Sequence, residues 1–428
     1  MTASRKRGVG LVLVATVTCL VAAWLTPTVS GASTPAAVTA TNGTIKVGGI
    51  GYVANFGDAA IGAQARFQRA NETKEVKGYK FQWTEFADDK NDPATALSET
   101  RRLVTQDGIF ALVPNVSLAT PGDFLTQQQI PWFGPGYDAT YCPDKGVKGF
   151  GFSTYGCILR LDATKAYGST FQLLKAELAA KGISKPSIAL IGTDSQSGKS
   201  GVTQSASAAQ GSGMNVVYAK GTIPAPPAVV GDYSPYIQAM LTSNGGKAPD
   251  VIYSQAPPTI SLQLFNGLKP AGFTGTIISP YYSKLLQKAL AGSYVFMQFA
   301  GYETKSKGID QFKADVEAFK PGTPGSLTLA AGYFAADMFI QAVKLALKSN
   351  KTLTSASVQK AASGMTYQIP DTIGPTKYPS SYSIPDQACN VLDHVNDDGS
   401  GFTLSQPYTC TTKTFPIPSK FKGANYPS

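Results

Sequence analysis

The chain has 428 residues, enough for two or three compact domains, and 43% are hydrophobic, enough to bury a sizeable core. Only 15% are charged, against about 25% in an average soluble protein, and 43 Gly and 28 Pro favour a turn-rich exported protein over a coiled coil or a charge-rich cytosolic one. The single histidine, His394, excludes zinc sites built on two or more histidines, and the net charge of +10 is scattered without the basic stripe that nucleic-acid binding requires.

Residues 1–32 read as a secretory signal: Arg5-Lys6-Arg7 supplies the positive start, an apolar run extends over 9–25, and Ser30-Gly31-Ala32 offers small residues for cleavage. An uncleaved membrane anchor is the alternative. A linker rich in Ala and Thr follows over 33–43. The pattern then alternates: a strand at 44–49, a helix at 58–72, a strand at 79–86, a helix at 93–106 with Pro93 in its first turn, a strand at 109–114, a short helix at 121–129 and a strand at 130–133. A second series runs through a helix at 163–181, a strand at 187–192, a helix at 198–211 and a strand at 214–218. It continues with a helix at 233–242, a strand at 251–254, a helix at 260–271 and a strand at 276–279. Helices at 309–319, 328–348 and 355–362 come next, and the Pro/Ser/Tyr-rich tail from 367 is expected to form a β-ribbon with loops. Such alternation signals parallel sheets covered by helices, here in two α/β halves with a cleft between them.

Two motifs suggest nucleotides and fail on geometry. Gly49-Ile50-Gly51-Tyr52-Val53-Ala54 has the GxGxxA spacing, but Asn55-Phe56-Gly57-Asp58 separates it from the expected helix, so no helix N-terminus meets a pyrophosphate. The segment 192–200 (GTDSQSGKS) has five residues between its glycines where a P-loop has four, and reads as a strand-to-helix loop facing a ligand cleft. Export makes Cys142, Cys157, Cys389 and Cys410 candidates for disulfides; three pairings exist, and the local ones, Cys142–Cys157 and Cys389–Cys410, are expected because each brackets a loop. The spacings fit no zinc pattern, and no cofactor or metal is expected.

Five segments carry a resemblance: Ile45-Lys46-Val47-Gly48, the run 88–94 (DDKNDPA), the run 103–113 (LVTQDGIFALV), the stretch 236–253, and the run 332–337 (GYFAAD). Through their order and spacing the chain resembles the leucine/isoleucine/valine-binding family of ABC-transporter solute-binding proteins. The resemblance implies an α/β, two-lobed type I periplasmic binding protein fold, each lobe a mostly parallel sheet flanked by helices, with the ligand cleft between lobes that close by hinge motion. By analogy lobe 1 is 44–158 plus 302–372, and lobe 2 is 159–301 plus 373–428.

The family holds an amino acid's carboxylate with hydroxyls and backbone N–H groups of the loop after the third strand, which here implies Ser117, Ala119 and Thr120, with Leu118 where a small hydroxyl residue is common. On lobe 2 it implies Ser195 and Ser197, the latter replacing a ligand-packing aromatic, together with Tyr253 and Gln255. The stretch Ser279-Pro280-Tyr281-Tyr282-Ser283 lacks the acid that pairs with an α-ammonium in amino-acid binders, so a carboxylate, amide or aromatic solute stacked on Tyr281 or Tyr282 is expected, with Phe56 as a further aromatic contact. The resemblance implies a monomer that captures a small solute outside the cytoplasm and hands it to a membrane permease, without nucleic acid. The alternatives are a ligand-sensing extracellular domain and a secreted hydrolase using Glu85, Asp88 and Asp89.

Overall fold

The computed structural model describes residues 37–142, 149–160, 162–350, 352–382 and 388–428; the expected signal segment lies outside them. In chain order the first elements are β1 (Thr44–Gly51), α1 (Val53–Phe56), α2 (Ala59–Glu72), β2 (Lys80–Asp88), α3 (Pro93–Thr105), β3 (Ala111–Asn115), α4 (Gly122–Gln127), β4 (Trp132–Gly134) and β5 (Gly151–Ser153). The strands form one sheet in the order β2-β1-β3-β4-β5, parallel throughout. Helix starts follow side-chain chemistry: Asp92 caps α3 by accepting the Thr95 N–H at 2.7 Å, with Pro93 in the first turn.

The middle of the chain supplies β6 (Lys165–Tyr167), α5 (Ser169–Ala180), β7 (Ser187–Thr193), α6 (Gln196–Gly211), β8 (Asn215–Ile223), α7 (Ser234–Leu241), β9 (Val251–Ser254), α8 (Pro258–Leu268), β10 (Thr276–Ser279) and β11 (Tyr294–Met297). The rest comprises α9 (Lys307–Phe319), α10 (Leu327–Ser349), α11 (Ser355–Gly364), β12 (Thr366–Ile369), β13 (Ile373–Lys377), β14 (Cys389–Val395), β15 (Phe402–Cys410), β16 (Thr414–Pro416) and β17 (Asn425–Tyr426). The second sheet has the order β15-β14-β11-β10-β9-β7-β8-β17; its centre is parallel, and the tail strands β14, β15 and β17 extend both edges antiparallel.

Helix α10 returns to the first sheet and packs on α2. The two backbones touch at reciprocal glycines: a Cβ on Gly62 would sit 1.9 Å from the Leu329 carbonyl oxygen, and one on Gly332 would sit 1.9 Å from that of Ala59. Helix α10 is long and apolar enough to span a bilayer, but 83% of its apolar window is buried in the protein, so it is a core helix.

The structure corrects three local expectations. The segment 163–181 is not one helix: Lys165–Tyr167 is strand β6, paired with β16 of the tail, and α5 begins only at Ser169. A pairing to residues 250 positions away leaves no mark on local periodicity, hence the misreading. The turn after β1 holds the one-turn helix α1 at once, where a later start was expected. The tail is more than a ribbon, since β14 and β15 are integral to the second sheet. Cys142–Cys157 and Cys389–Cys410 are both disulfides, the second joining directly opposed residues of β14 and β15.

Candidate functional site

In both sheets the loops leaving the carboxyl ends of the parallel strands face one cavity, the position where open α/β sheets bind ligands. The loops of the first sheet contribute Phe56 from α1, Leu118 after β3, Tyr137 after β4, and Ile158 and Leu159 after β5. The second sheet's strands and loops contribute Thr193 to Gly198 in part, Tyr253, Gln255, Tyr281, Phe296 and Gln298, with Thr170 and Phe171 from the start of α5. The empty space between these walls is about 1030 Å³ including the open mouth.

Local chemistry explains how these groups are presented. Ser195 caps α6 by accepting the Gly198 N–H at 3.1 Å, which turns the chain sharply out of β7 and places Ser195 and Ser197 on the wall. One turn further, Gly201 lets the Gln255 side chain pack on the helix; a Cβ there would lie 2.7 Å from Gln255 Cγ. The Gln255 amide oxygen accepts from the Tyr253 hydroxyl, and the Tyr281 hydroxyl donates to the Ala256 carbonyl, so both tyrosines present ring surface to the cavity with their polar ends occupied. Three wall groups are buried and find no hydrogen-bond partner among the described residues: the Tyr137 hydroxyl, the Thr170 hydroxyl and the Gln298 amide oxygen. Burial pushes the Tyr137 pKa far above that of a free phenol, with Tyr281 and Asp58 adding to the effect.

Of the residues expected at the ligand, Phe56, Ser195, Ser197, Tyr253, Gln255 and Tyr281 line this cavity. Ser117, Ala119, Thr120 and Tyr282 do not. The loop after β3 is closed on itself: the Ser117 N–H donates to Asn115 Oδ1 at 3.2 Å, the Ala119 N–H to Ser117 Oγ at 3.0 Å, and the Thr120 N–H to Asp138 Oδ2 at 2.9 Å. The Thr120 hydroxyl accepts from Asn115 Nδ2 at 2.8 Å, leaving Leu118 as the loop residue on the wall. Tyr282 is turned into the core, stacked between Tyr302 and Phe402, with its hydroxyl donating to Glu303 Oε1 at 2.8 Å. The acids Glu85, Asp88 and Asp89 stand off the cavity wall: Glu85 pairs with Arg102, Asp88 accepts the Val53 and Lys90 N–H groups, and Asp89 is buried and accepts that of Asn91 through Oδ1.

Sequence reasoning missed Tyr137, Thr170, Phe171, Phe296 and Gln298. They lie on a short strand or within a few residues after one, or at the first turn of α5, which follows β6. For all but Thr170 the available signal was an aromatic or amide residue within a few positions of an apolar run.

Comparison with known proteins places this geometry. The family model described as "periplasmic binding protein" matches residues 44–399, and the chain belongs to that family. Among solved structures, it is similar to a possible leucine/isoleucine/valine-binding protein from Rhodopirellula baltica SH 1, with 14% identity, 86% of this chain and 98% of the other covered, and a TM-score of 0.65. It is also similar to the branched-chain amino acid transporter substrate-binding protein LivJ from Streptococcus pneumoniae, solved with isoleucine, with 18% identity, coverages of 85% and 100%, and a TM-score of 0.63. A fatty acid ABC transporter substrate-binding protein from Thermomonospora curvata aligns at 15% identity, with coverages of 88% and 95% and a TM-score of 0.67. No curated protein sequence matches significantly. The type I periplasmic binding fold expected from the sequence is thereby established.

Proposed function

We propose that this protein is the extracytoplasmic solute-binding component of an ABC importer, taking up a small solute between two lobes and delivering it to a membrane permease. The observation that carries the reading is the cavity itself: it is walled by strand-end loops of both sheets in a member of the periplasmic binding protein family. Closure by hinge motion fits a chain that passes from the first sheet to the second, back to α9–α11, and again to β14. On this reading lobe 1 comprises 44–158 plus 302–372, and lobe 2 comprises 159–301 plus 373–428. A hydrogen bond of 3.2 Å from Asn91 Nδ2 to the Pro226 carbonyl joins loops at the carboxyl ends of the two sheets and supports a closed arrangement. Binding without chemistry is the role, because the acidic residues considered for catalysis serve turns and ion pairs away from the cavity wall.

The test is thermal unfolding of the protein beginning at Ser33 against amino acids, aromatic acids, amides, alcohols and sugars. A ligand at 100 times its dissociation constant adds about 2.7 kcal/mol, a visible rise in midpoint. A rise confined to one chemical class is expected; an unmoved midpoint across every class would count against solute binding.

A further inference from the structure

We infer that the solute taken by this cavity is uncharged: a largely apolar or aromatic molecule carrying an amide, hydroxyl or carbonyl group, without a free carboxylate or ammonium. The inference rests on the binding role proposed above and narrows it to a chemical class. Among the described residues, no Asp, Glu, Lys, Arg or His lines the cavity. Desolvating an ion against such a wall is costly, since neither counter-charge nor solvent remains to offset it.

Charges close to the wall are engaged elsewhere or face solvent. Asp58 accepts from the Ser326 and Thr328 hydroxyls, Arg160 pairs with Asp162 at 2.6 Å and donates to the Tyr382 carbonyl, and Lys199 is exposed. The loop after β3, which would receive a carboxylate in the leucine/isoleucine/valine-binding pattern, already holds one of its own. Asp138 is buried and accepts the Thr120 N–H, the Thr140 N–H and the Thr140 hydroxyl, while the Ser117 and Ala119 N–H groups are held by Asn115 Oδ1 and Ser117 Oγ. A second carboxylate arriving there would meet the buried Asp138, with the Ser117, Ala119 and Thr120 N–H groups already engaged.

What the wall does offer is neutral. Thr170 is 2% exposed and Gln298 8% exposed, and the Thr170 hydroxyl and the Gln298 amide oxygen, with the Tyr137 hydroxyl, lack partners among the described residues. Unmade hydrogen bonds of buried groups are unfavourable, so a solute that supplies both a donor and an acceptor is favoured over a plain hydrocarbon. Aromatic faces of Phe171, Tyr253, Tyr281 and Phe296 take the remaining surface.

The experiment uses N-phenyl-1-naphthylamine, an uncharged fluorescent aromatic, displaced by matched pairs: benzamide against benzoate, 4-methylpentanamide against 4-methylpentanoate, and 3-methylbutanol against 3-methylbutylammonium. The expected result is dye uptake, with neutral members displacing the dye at least tenfold more tightly than their charged counterparts. Thr170→Val is expected to weaken the best amide about tenfold while the dye still binds. Charged members displacing as well as or better than neutral ones would overturn the inference and leave solute binding intact. Absence of dye uptake together with an unmoved unfolding midpoint across the panel would remove the binding reading, and the inference with it.

Discussion

Asp138 illustrates how single buried groups set what this protein can recognise. Burial pushes its carboxyl pKa up, and hydrogen bonds from Thr120 and Thr140 pull it back; the net shift is upward. Its neighbour Asn115 bridges Ser117 and Thr120, and the Tyr141 hydroxyl donates to the Asn115 carbonyl at 2.9 Å, so the loop is one connected polar unit. Asp138→Ala would leave the Thr120 and Thr140 donors without an acceptor. We expect a loss of about 2–5 kcal/mol, typical of breaking a buried charged network from one side, read as a lower urea midpoint. Leu118→Ser, which alters only the residue this loop presents to the cavity, should leave that midpoint within about 1 kcal/mol.

At the scale of elements, stability concentrates where α2 crosses α10. Besides the paired glycines, Arg66 on α2 is buried and holds Asp337 on α10 at 2.7 Å and Glu75 at 2.8 Å, and the Tyr367 hydroxyl also reaches Asp337. The neighbouring carboxylates keep Arg66 charged despite the opposing effect of burial. Removing the guanidinium leaves the buried Asp337 without a counter-charge and Glu75 with only the longer pairs to Arg69 and Lys344, so Arg66→Ala should cost about 3–5 kcal/mol in chemical denaturation, whereas Lys344→Ala, an exposed partner of Glu75 at 3.8 Å, should cost less than about 1 kcal/mol. Gly62→Ala would drive a methyl group into the Leu329 carbonyl and should destabilise by about 3 kcal/mol or more, because two rigid backbones must separate. The helix cores and the longer strands around this crossing were legible in the sequence because their apolar periodicity is local. Strands β5, β6 and β11 were not, since three or four residues become a strand only through distant partners. The same blindness reached the site: Phe296 and Gln298 lie on and just after β11, Ile158 follows β5, and Thr170 and Phe171 open a helix whose start depends on β6. Phe56, Tyr253 and Gln255 were within reach because they lie on or follow strands that the local pattern marks clearly.

At the scale of the whole molecule, the returning tail ties the second sheet to the loop that leads back to α9. Asp393 on β14 opposes Val295 on β11, is fully buried, and neither oxygen has a conventional hydrogen-bond donor among the described residues. It faces Gly301 and Glu303 of that loop, and Glu303 in turn accepts from Tyr282. Burial, then the Glu303 carboxylate, pushes the Asp393 pKa up to about 8, so the pair retains a proton where a free aspartate would lose it. An unfolded aspartate releases its proton near pH 3.9, so between about pH 4 and pH 8 the folded state binds more protons than the unfolded one. The stabilisation from this group is therefore complete below about pH 4 and declines as pH rises toward 8, by at most about 1.4 kcal/mol per pH unit. Asp393→Asn keeps a donor facing Glu303 and abolishes the titration. Urea midpoints measured from pH 5 to 9 should fall with rising pH in the natural protein and level off near 8, while the variant stays flatter and overtakes it at alkaline pH. Parallel curves for the two proteins would mean that Asp393 is ionised in the folded state and that the tail is fastened to this loop by packing alone.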